Sequence, residues 1–208
     1  LNPELSENSK ASLLAAGSDA GPSIPLLGMW IFLATECLLF SVLLFTLALY
    51  RHLYPVDFAV GTRHLSLLIG TLNTAILLTS SFTMVLMVHF SSISDFTRSK
   101  LCARITGALG ASFLVLKFVE YHNDYREGLV PALRWLASDV ENPHLKLFFV
   151  LYFFTTLLHA LHLFIGVFLV TLVPPENKEF TENVGLYWHF VDLVWIFLFP
   201  LLYLLGRT

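Results

Sequence analysis

Charge is what this 208-residue sequence has least of: Asp, Glu, Lys and Arg together make up 13% of it. Soluble domains carry about 25%. Cysteine is also scarce. Cys37 and Cys102 both fall in or beside apolar stretches, which leaves no disulfide framework and reads as two small core residues. The net charge of −3 comes without a basic patch, so nothing points to nucleic acid as a partner. Internal repeats and low-complexity tracts are missing, which speaks against solenoids and linkers. No secretory signal peptide is evident. The opening stretch, LNPELSENSKASLLAAGSDAGPSIP, is polar and rich in Ser, Ala, Gly and Pro, and residues 1–24 read as a flexible tail.

Apolar side chains fill the rest. Hydrophobic residues make up 56% of the sequence and Phe alone occurs 19 times. A single domain of this size cannot bury that much apolar surface within itself, so lipid is the expected solvent. A helix needs roughly 20 mostly apolar residues to cross the hydrocarbon core. Five segments qualify, at about 26–49, 65–87, 101–119, 147–173 and 185–206. The expected fold is therefore all-α, an integral membrane bundle of five transmembrane helices over residues 25–208. The third span is the weakest, with Arg104 inside one end and Lys117 near the other. Gly107 and Gly110 share a face there and invite close helix contact. Pro174 and Pro175 stop the fourth span.

The connections HLYPVDFAVGT and SSISDFTRSK read as turns, with Thr62 and Ser94 as N-cap donors. HNDYREGLVPALRWLASDVENPH is long enough for a short amphipathic surface helix, and PPENKEFTEN reads as acidic and exposed. Five spans put the termini on opposite sides of the membrane. Basic residues are nearly balanced between the two sides, and the cluster Arg98, Lys100 and Arg104 tips the N-terminal side toward the cytoplasm.

A carboxylate at a helix centre costs about 2.5–3.5 kcal/mol by insertion scales, so ionisable residues in a span need an account. Glu36 falls near a midplane, suited either to interhelical hydrogen bonding or to handling a proton. Lys117 and Glu120 lie three residues apart on one face. An interfacial ion pair is expected there, with Lys117 snorkelling and Glu120 open to a buried hydrogen bond. His159 and His162 share a face mid-helix. They suit either two metal ligands or neutral imidazoles bonded to neighbouring helices, and the second reading is preferred because the cysteines are not placed to complete a zinc site. His189 and Asp192 share a face of the last span and are expected to bond to adjacent helices and set its register. Tyr187 and Trp188 stand at the depth of an aromatic belt, and Trp195 adds aromatic bulk; the three are expected as anchors.

Four motifs, in order, resemble one family. LYWHFVDLVWIFLF, Leu186 to Phe199, resembles the closing YWHFVD-x-VW segment of subunit III of the haem–copper terminal oxidases almost letter for letter. FFTTLLHALHLFIG, Phe153 to Gly166, resembles that family's G-x-H-G-x-H-x-x-x-G segment, with Leu158 before the first His and Ala160 where Gly is usual. FLATECLLF, Phe32 to Phe40, resembles its buried carboxylate segment, and KFVEY, Lys117 to Tyr121, its x-x-x-E-Y segment. The resemblance covers nearly all of the chain after the tail and matches the short, five-helix form, which lacks the first two helices of longer members.

The resemblance implies a component of an oxidoreductase complex that does not itself carry the active site. No catalytic, cofactor-binding or metal-binding residue is expected in this chain. Haem and copper belong to partner subunits, and the partners are the catalytic subunit I, other oxidase subunits and membrane lipids. The family's subunit III stabilises subunit I, which reduces oxygen to water and pumps protons, and helps maintain proton uptake. It also holds phospholipid in a cleft built with the helices the short form lacks. By position, Glu36, Glu120, His159, His162, His189 and Asp192 match the family's intramembrane polar residues. The location implied is the bacterial inner membrane, with the N-terminus cytoplasmic and the C-terminus outside. The competing readings are a related subunit associated with nitric oxide reductases, an independent proton-coupled transporter using Glu36 and the histidines as a relay, and a metal-dependent membrane enzyme built on His159, His162 and His189. Inverted repeats, a frequent mark of transporters, are not evident, and metal analysis separates the last class.

Overall fold

The computed structural model describes residues 24–126, 128–129, 143–172 and 174–206. The expected tail, up to residue 23, and the expected surface helix between the third and fourth spans lie outside them. Six α-helices and no strand occur among the described residues. They are α1 (Ile24–Leu53), α2 (Pro55–His64), α3 (Leu67–Ser92), α4 (Phe96–Arg126), α5 (Pro143–Leu172) and α6 (Lys178–Phe199). α6 continues through a turn of wider π-helical winding at Pro200–Leu204. All but α2 are long and apolar enough to cross a membrane, at 26 to 31 residues with the π turn included. At 1.5 Å per residue that is about 39–46 Å, more than the roughly 30 Å hydrocarbon layer. The helices therefore run past their apolar stretches. A backbone that is hydrogen-bonded along its own axis is as satisfied among headgroups as in lipid.

The helix ends differ from the expected caps. Thr62 lies inside α2, buried, with its hydroxyl donating to the Phe58 carbonyl at 2.9 Å. The stretch expected as a turn is thus mostly helix, with Pro55 at its first position, where the missing N–H costs nothing. Ser66 caps α3 instead, its Oγ accepting from the Ile69 amide at 3.5 Å. Ser94 adopts φ 64° and ends α3. The Asp95 amide donates back to the Phe90 carbonyl at 2.9 Å, the geometry of a left-handed helix stop. Asp95 then caps α4, its carboxylate accepting from the Arg98 amide at 3.2 Å. Asn177 caps α6 by accepting from the Phe180 amide at 3.0 Å. The segment expected to be acidic and exposed is mostly exposed, with Pro175, Thr181 and Asn183 buried, and its second half forms the first turns of α6.

The core lies between α3, α4, α5 and α6. α3 packs on α4 and α6, and α5 packs on both α4 and α6. α1 leans on the outside of this group, mainly against α6. Half of the apolar window of α6 is buried (50%) but only 11% of that of α1, so α1 is peripheral. Cys37, on α1, is accordingly exposed and not a core residue, whereas Cys102 is buried as expected. Gly110 is one position where the bundle needs a glycine. A Cβ there would stand 2.7 Å from both Trp188 and Val167, inside van der Waals contact. Gly107 has only ordinary clearance, with Thr171 at 3.5 Å.

Candidate functional site

Several ionisable side chains of the spans lie inside the bundle, in separate sites. The largest is centred on Lys117 of α4. Its Nζ donates to Glu120 Oε2 at 2.8 Å and to the Tyr203 hydroxyl at 2.7 Å, with the Tyr152 hydroxyl at 3.4 Å. Tyr203 in turn donates to Glu120 Oε1 at 2.8 Å. Both charged side chains are 2% exposed. The ammonium faces the rings of Trp195, Tyr203, Tyr152 and Tyr121 at 4.9, 5.2, 5.3 and 5.6 Å, a nearly complete aromatic box. Alongside, Tyr121 donates to Thr156 at 2.7 Å. The expected interfacial, snorkelling Lys117 is thus corrected to a buried one. α4 continues to Arg126, which places Lys117 nine residues from the helix end and leaves its stem too short to reach the surface. The cluster ties α4 to α5 through Tyr152 and to the π turn through Tyr203.

Glu36 of α1 meets His162 of α5, with 3.1 Å between Oε2 and Nε2. The other ring nitrogen, Nδ1, lies 2.8 Å from the Leu158 carbonyl, an acceptor, so Nδ1 carries a proton. One further proton then links Nε2 and the carboxyl, whichever of the two holds it. Phe40 packs edge-on against the imidazole at 5.1 Å, and Tyr187 donates to the His162 carbonyl at 2.9 Å. Together with the bond that the Tyr50 hydroxyl of α1 donates to the His144 carbonyl of α5, this pair ties the peripheral α1 to the core.

His159 shares a helix face with His162 but not a site. Its ring is fully buried, stacked on Trp195 at 5.1 Å and edge-on to Phe113 at 5.7 Å, and neither nitrogen has a hydrogen-bond partner. Among the described residues, no three His, Cys, Asp or Glu side chains converge as a ligand set.

His189 and Asp192 both face α3. His189 Nδ1 bonds to Ser81 Oγ at 2.8 Å. Asp192 is buried, and Ser81 and Trp188 approach its carboxylate without closing a bond of ordinary geometry. Trp188 and Trp195 donate to α3 as well, to Ser80 at 3.3 Å and Thr74 at 3.1 Å. One face of α6 is thereby registered along α3 by three hydrogen bonds. Tyr187, Trp188 and Trp195, expected as anchors, are all buried. They face neighbouring helices, with Tyr187 donating to the His162 carbonyl and Trp188 to Ser80.

Sequence reasoning missed Tyr152, Tyr203, Asn73 and Asp124, all buried. The two tyrosines did carry a signal, since a phenol in an apolar span needs a partner for its hydroxyl. Asn73 and Asp124 were legible only as polar residues in or near a span.

No protein-family model matches the chain. It is similar to cytochrome c oxidase subunit 3 of Thermostichus vulcanus, at 32% identity over 200 residues covering 89% of this chain and 90% of the relative. The corresponding protein of Synechocystis is 31% identical over 92% of this chain and 80% of its own length. Quinol oxidase subunit 3 of Bacillus subtilis is 30% identical over 87% of each chain. Together with five apolar helices long enough to span a membrane, these relatives show that the chain is a multi-pass membrane protein that belongs to the subunit 3 family of the haem–copper cytochrome c and quinol oxidases.

Proposed function

We propose that this chain is a non-catalytic subunit of a respiratory haem–copper oxidase, that it stabilises the catalytic subunit I, and that it supports proton uptake during oxygen reduction. Haem and copper reside in the partner subunits. The chain sits in a bacterial inner membrane with its N-terminus on the cytoplasmic side. The names of its relatives, which include both cytochrome c and quinol oxidase subunits, support membership of such a complex.

The observation that carries the stabilising role is the enclosure of the polar groups. Lys117 and Glu120 are 2% exposed and bonded to each other and to Tyr203. Glu36 is bonded to His162, and His189 to Ser81. Such contacts fix helix register and hold the outer surface constant, which a docking subunit requires. In this reading Glu36, Glu120, His159, His162, His189 and Asp192 are structural. α1 presents Leu38, Val42 and Phe45 outward, an apolar face free for lipid or a neighbouring subunit.

The test is mild-detergent purification on a tag fused to this chain, followed by a visible spectrum and mass spectrometry. Haem bands with a co-purifying large, His-rich subunit are expected. A colourless chain that is stable alone and monodisperse would refute the proposal and favour a transporter. Assembly, stability and turnover all unchanged in a complex carrying His189→Phe and Asp192→Asn would refute the structural role of that face.

A further inference from the structure

The buried ionisable groups of the core fall one after another along the bundle, and hydrogen bonds between helices fix their order. Ser81 and Thr74 of α3 bond to His189 and Trp195 of α6, so these two helices run antiparallel. Thr83 bonds to Thr106 at 2.7 Å and Ser99 to the Met87 carbonyl at 3.0 Å, so α4 is also antiparallel to α3 and runs in the direction of α6. His189 comes first. With His89 and Glu182 it lines a groove of about 420 Å³ between the start of α6 and the end of α3. Asp192 lies one turn further in. His159 follows, beside Trp195 and edge-on to Phe113. Phe113 precedes Lys117 by one turn of α4, and Glu120 and then Asp124 lead on to the helix end at Arg126. Asp192, His159, Lys117, Glu120 and Asp124 are each no more than 5% exposed.

Carboxylates and imidazoles at successive depths are the groups from which intramembrane proton relays are built. In a membrane that holds a proton gradient, such a series is a leak hazard. Lys117 stands in the middle of it and is the only buried lysine or arginine among the described residues. Its ammonium is held in place by Glu120 at 2.8 Å and by four ring faces. His159 and Lys117 share the Trp195 ring, the imidazole centroid at 5.1 Å and the ammonium at 4.9 Å from its centre. A proton arriving on His159 would thus stand within about 10 Å of a fixed positive charge and be repelled by it.

We propose that Lys117 is an electrostatic barrier that keeps the interior of this bundle proton-tight, standing between His159 on one side and Glu120 on the other. A fixed cation excludes protons and other cations from a path without closing it sterically. Such a barrier is useful in any energised membrane and goes beyond the stabilising role proposed above. A lysine that served packing alone would have no effect on permeability in a variant that still folds, and this separates the two roles.

The experiment is passive proton entry into liposomes that carry the chain in its complex, with no electron donor present. A potassium diffusion potential set by valinomycin drives entry, internal pyranine reports it, and release of entrapped calcein reports general loosening. Lys117→Gln removes the charge and keeps a donor toward Glu120 and Tyr203. It should raise proton entry about tenfold over wild type without releasing calcein, the factor for two unit charges about 10 Å apart at an effective dielectric of about 20 after partial offset by Glu120. Adding His159→Phe should return entry to the wild-type rate, because it removes the group ahead of the barrier and keeps an aromatic ring against Trp195. Lys117→Arg and Glu120→Gln each keep a cation in place and should stay tight. Lys100 is the control. It bonds to Glu176 at 3.1 Å on the exposed rim, where a backbone hydrogen bond and this bridge hold the Glu176 carboxyl below the usual carboxylate range. Lys100→Gln should leave proton entry unchanged. Should Lys117→Gln fail to fold, Lys117→Arg and Glu120→Gln still decide the matter, because faster entry in either overturns the barrier and the wild-type rate in both supports it. A wild-type rate in folded Lys117→Gln, calcein release alongside the protons, or undiminished entry after adding His159→Phe would also overturn the proposal.

Discussion

Replacing Lys117 with Met takes the ammonium out of the middle of the bundle and leaves Glu120 with one remaining donor, Tyr203 at 2.8 Å. At the observed 2.8 Å separation, the charges attract by about 6 kcal/mol for an effective dielectric of about 20. Against this stands the desolvation of two ions that are each 2% exposed, several kcal/mol per ion. The net worth of the intact pair is therefore small, whereas breaking it is not. Lys117→Met should destabilise by about 3–5 kcal/mol because a buried carboxylate loses its counter-charge. Glu120→Gln should cost somewhat less, since the ammonium keeps the two phenol oxygens and the aromatic box. The double variant, with a neutral amide and an apolar stem in the same volume, should be less destabilised than Lys117→Met alone, giving a coupling energy of about 2 kcal/mol or more. The assay is a double-mutant cycle by SDS or thermal unfolding in one detergent, followed by Trp fluorescence, since Trp195 sits 4.9 Å from the ammonium. A cost below about 1 kcal/mol for Lys117→Met, or strictly additive effects, would refute the buried-pair account.

Gly110→Val should destabilise by about 1–3 kcal/mol through overpacking against Trp188 and Val167, whereas Gly107→Ala should be close to neutral, and thermal unfolding separates the two. Glu36→Leu should loosen α1 from the core at a cost of about 0.6–2 kcal/mol, and Glu36→Gln should cost less because an amide still bonds to His162; proteolysis rates near α1 report both. The Lys100–Glu176 bridge should depend on pH with a definite sign. A carboxyl whose folded pKa is depressed contributes fully above its ordinary range, and the contribution is lost as pH falls through the lowered value. The stability difference between wild type and Lys100→Gln should therefore vanish in acid and persist at neutral pH. A difference that grows on acidification would contradict this.

Much of this protein could be read from its sequence because hydropathy is a sum over contiguous residues. The five spans, their order and the interruption at Pro174 and Pro175 need no tertiary information, only the length of helix that lipid demands. The pairing of ionisable residues by helical spacing was legible too. Lys117 and Glu120 lie three apart and do meet. What spacing could not supply was the partner on another helix. His159 and His162 share a face, yet one stacks on Trp195 and the other bonds to Glu36, 126 residues away.

Depth depended on the folded helices for a related reason. α4 extends beyond its apolar stretch, which made a residue expected to snorkel, Lys117, part of the core, and Tyr187 and Trp188, expected in an aromatic belt, are buried against neighbouring helices. Helix ends are set by local caps at Asp95 and Asn177, and hydropathy is blind to these. Composition and span length determined by themselves that this chain lives in lipid as a helical bundle, because the cost of exposed backbone and apolar surface is local and additive. Only the tertiary structure decided which polar groups are buried together and which face of α1 stays open, because those outcomes depend on contacts between helices distant in sequence.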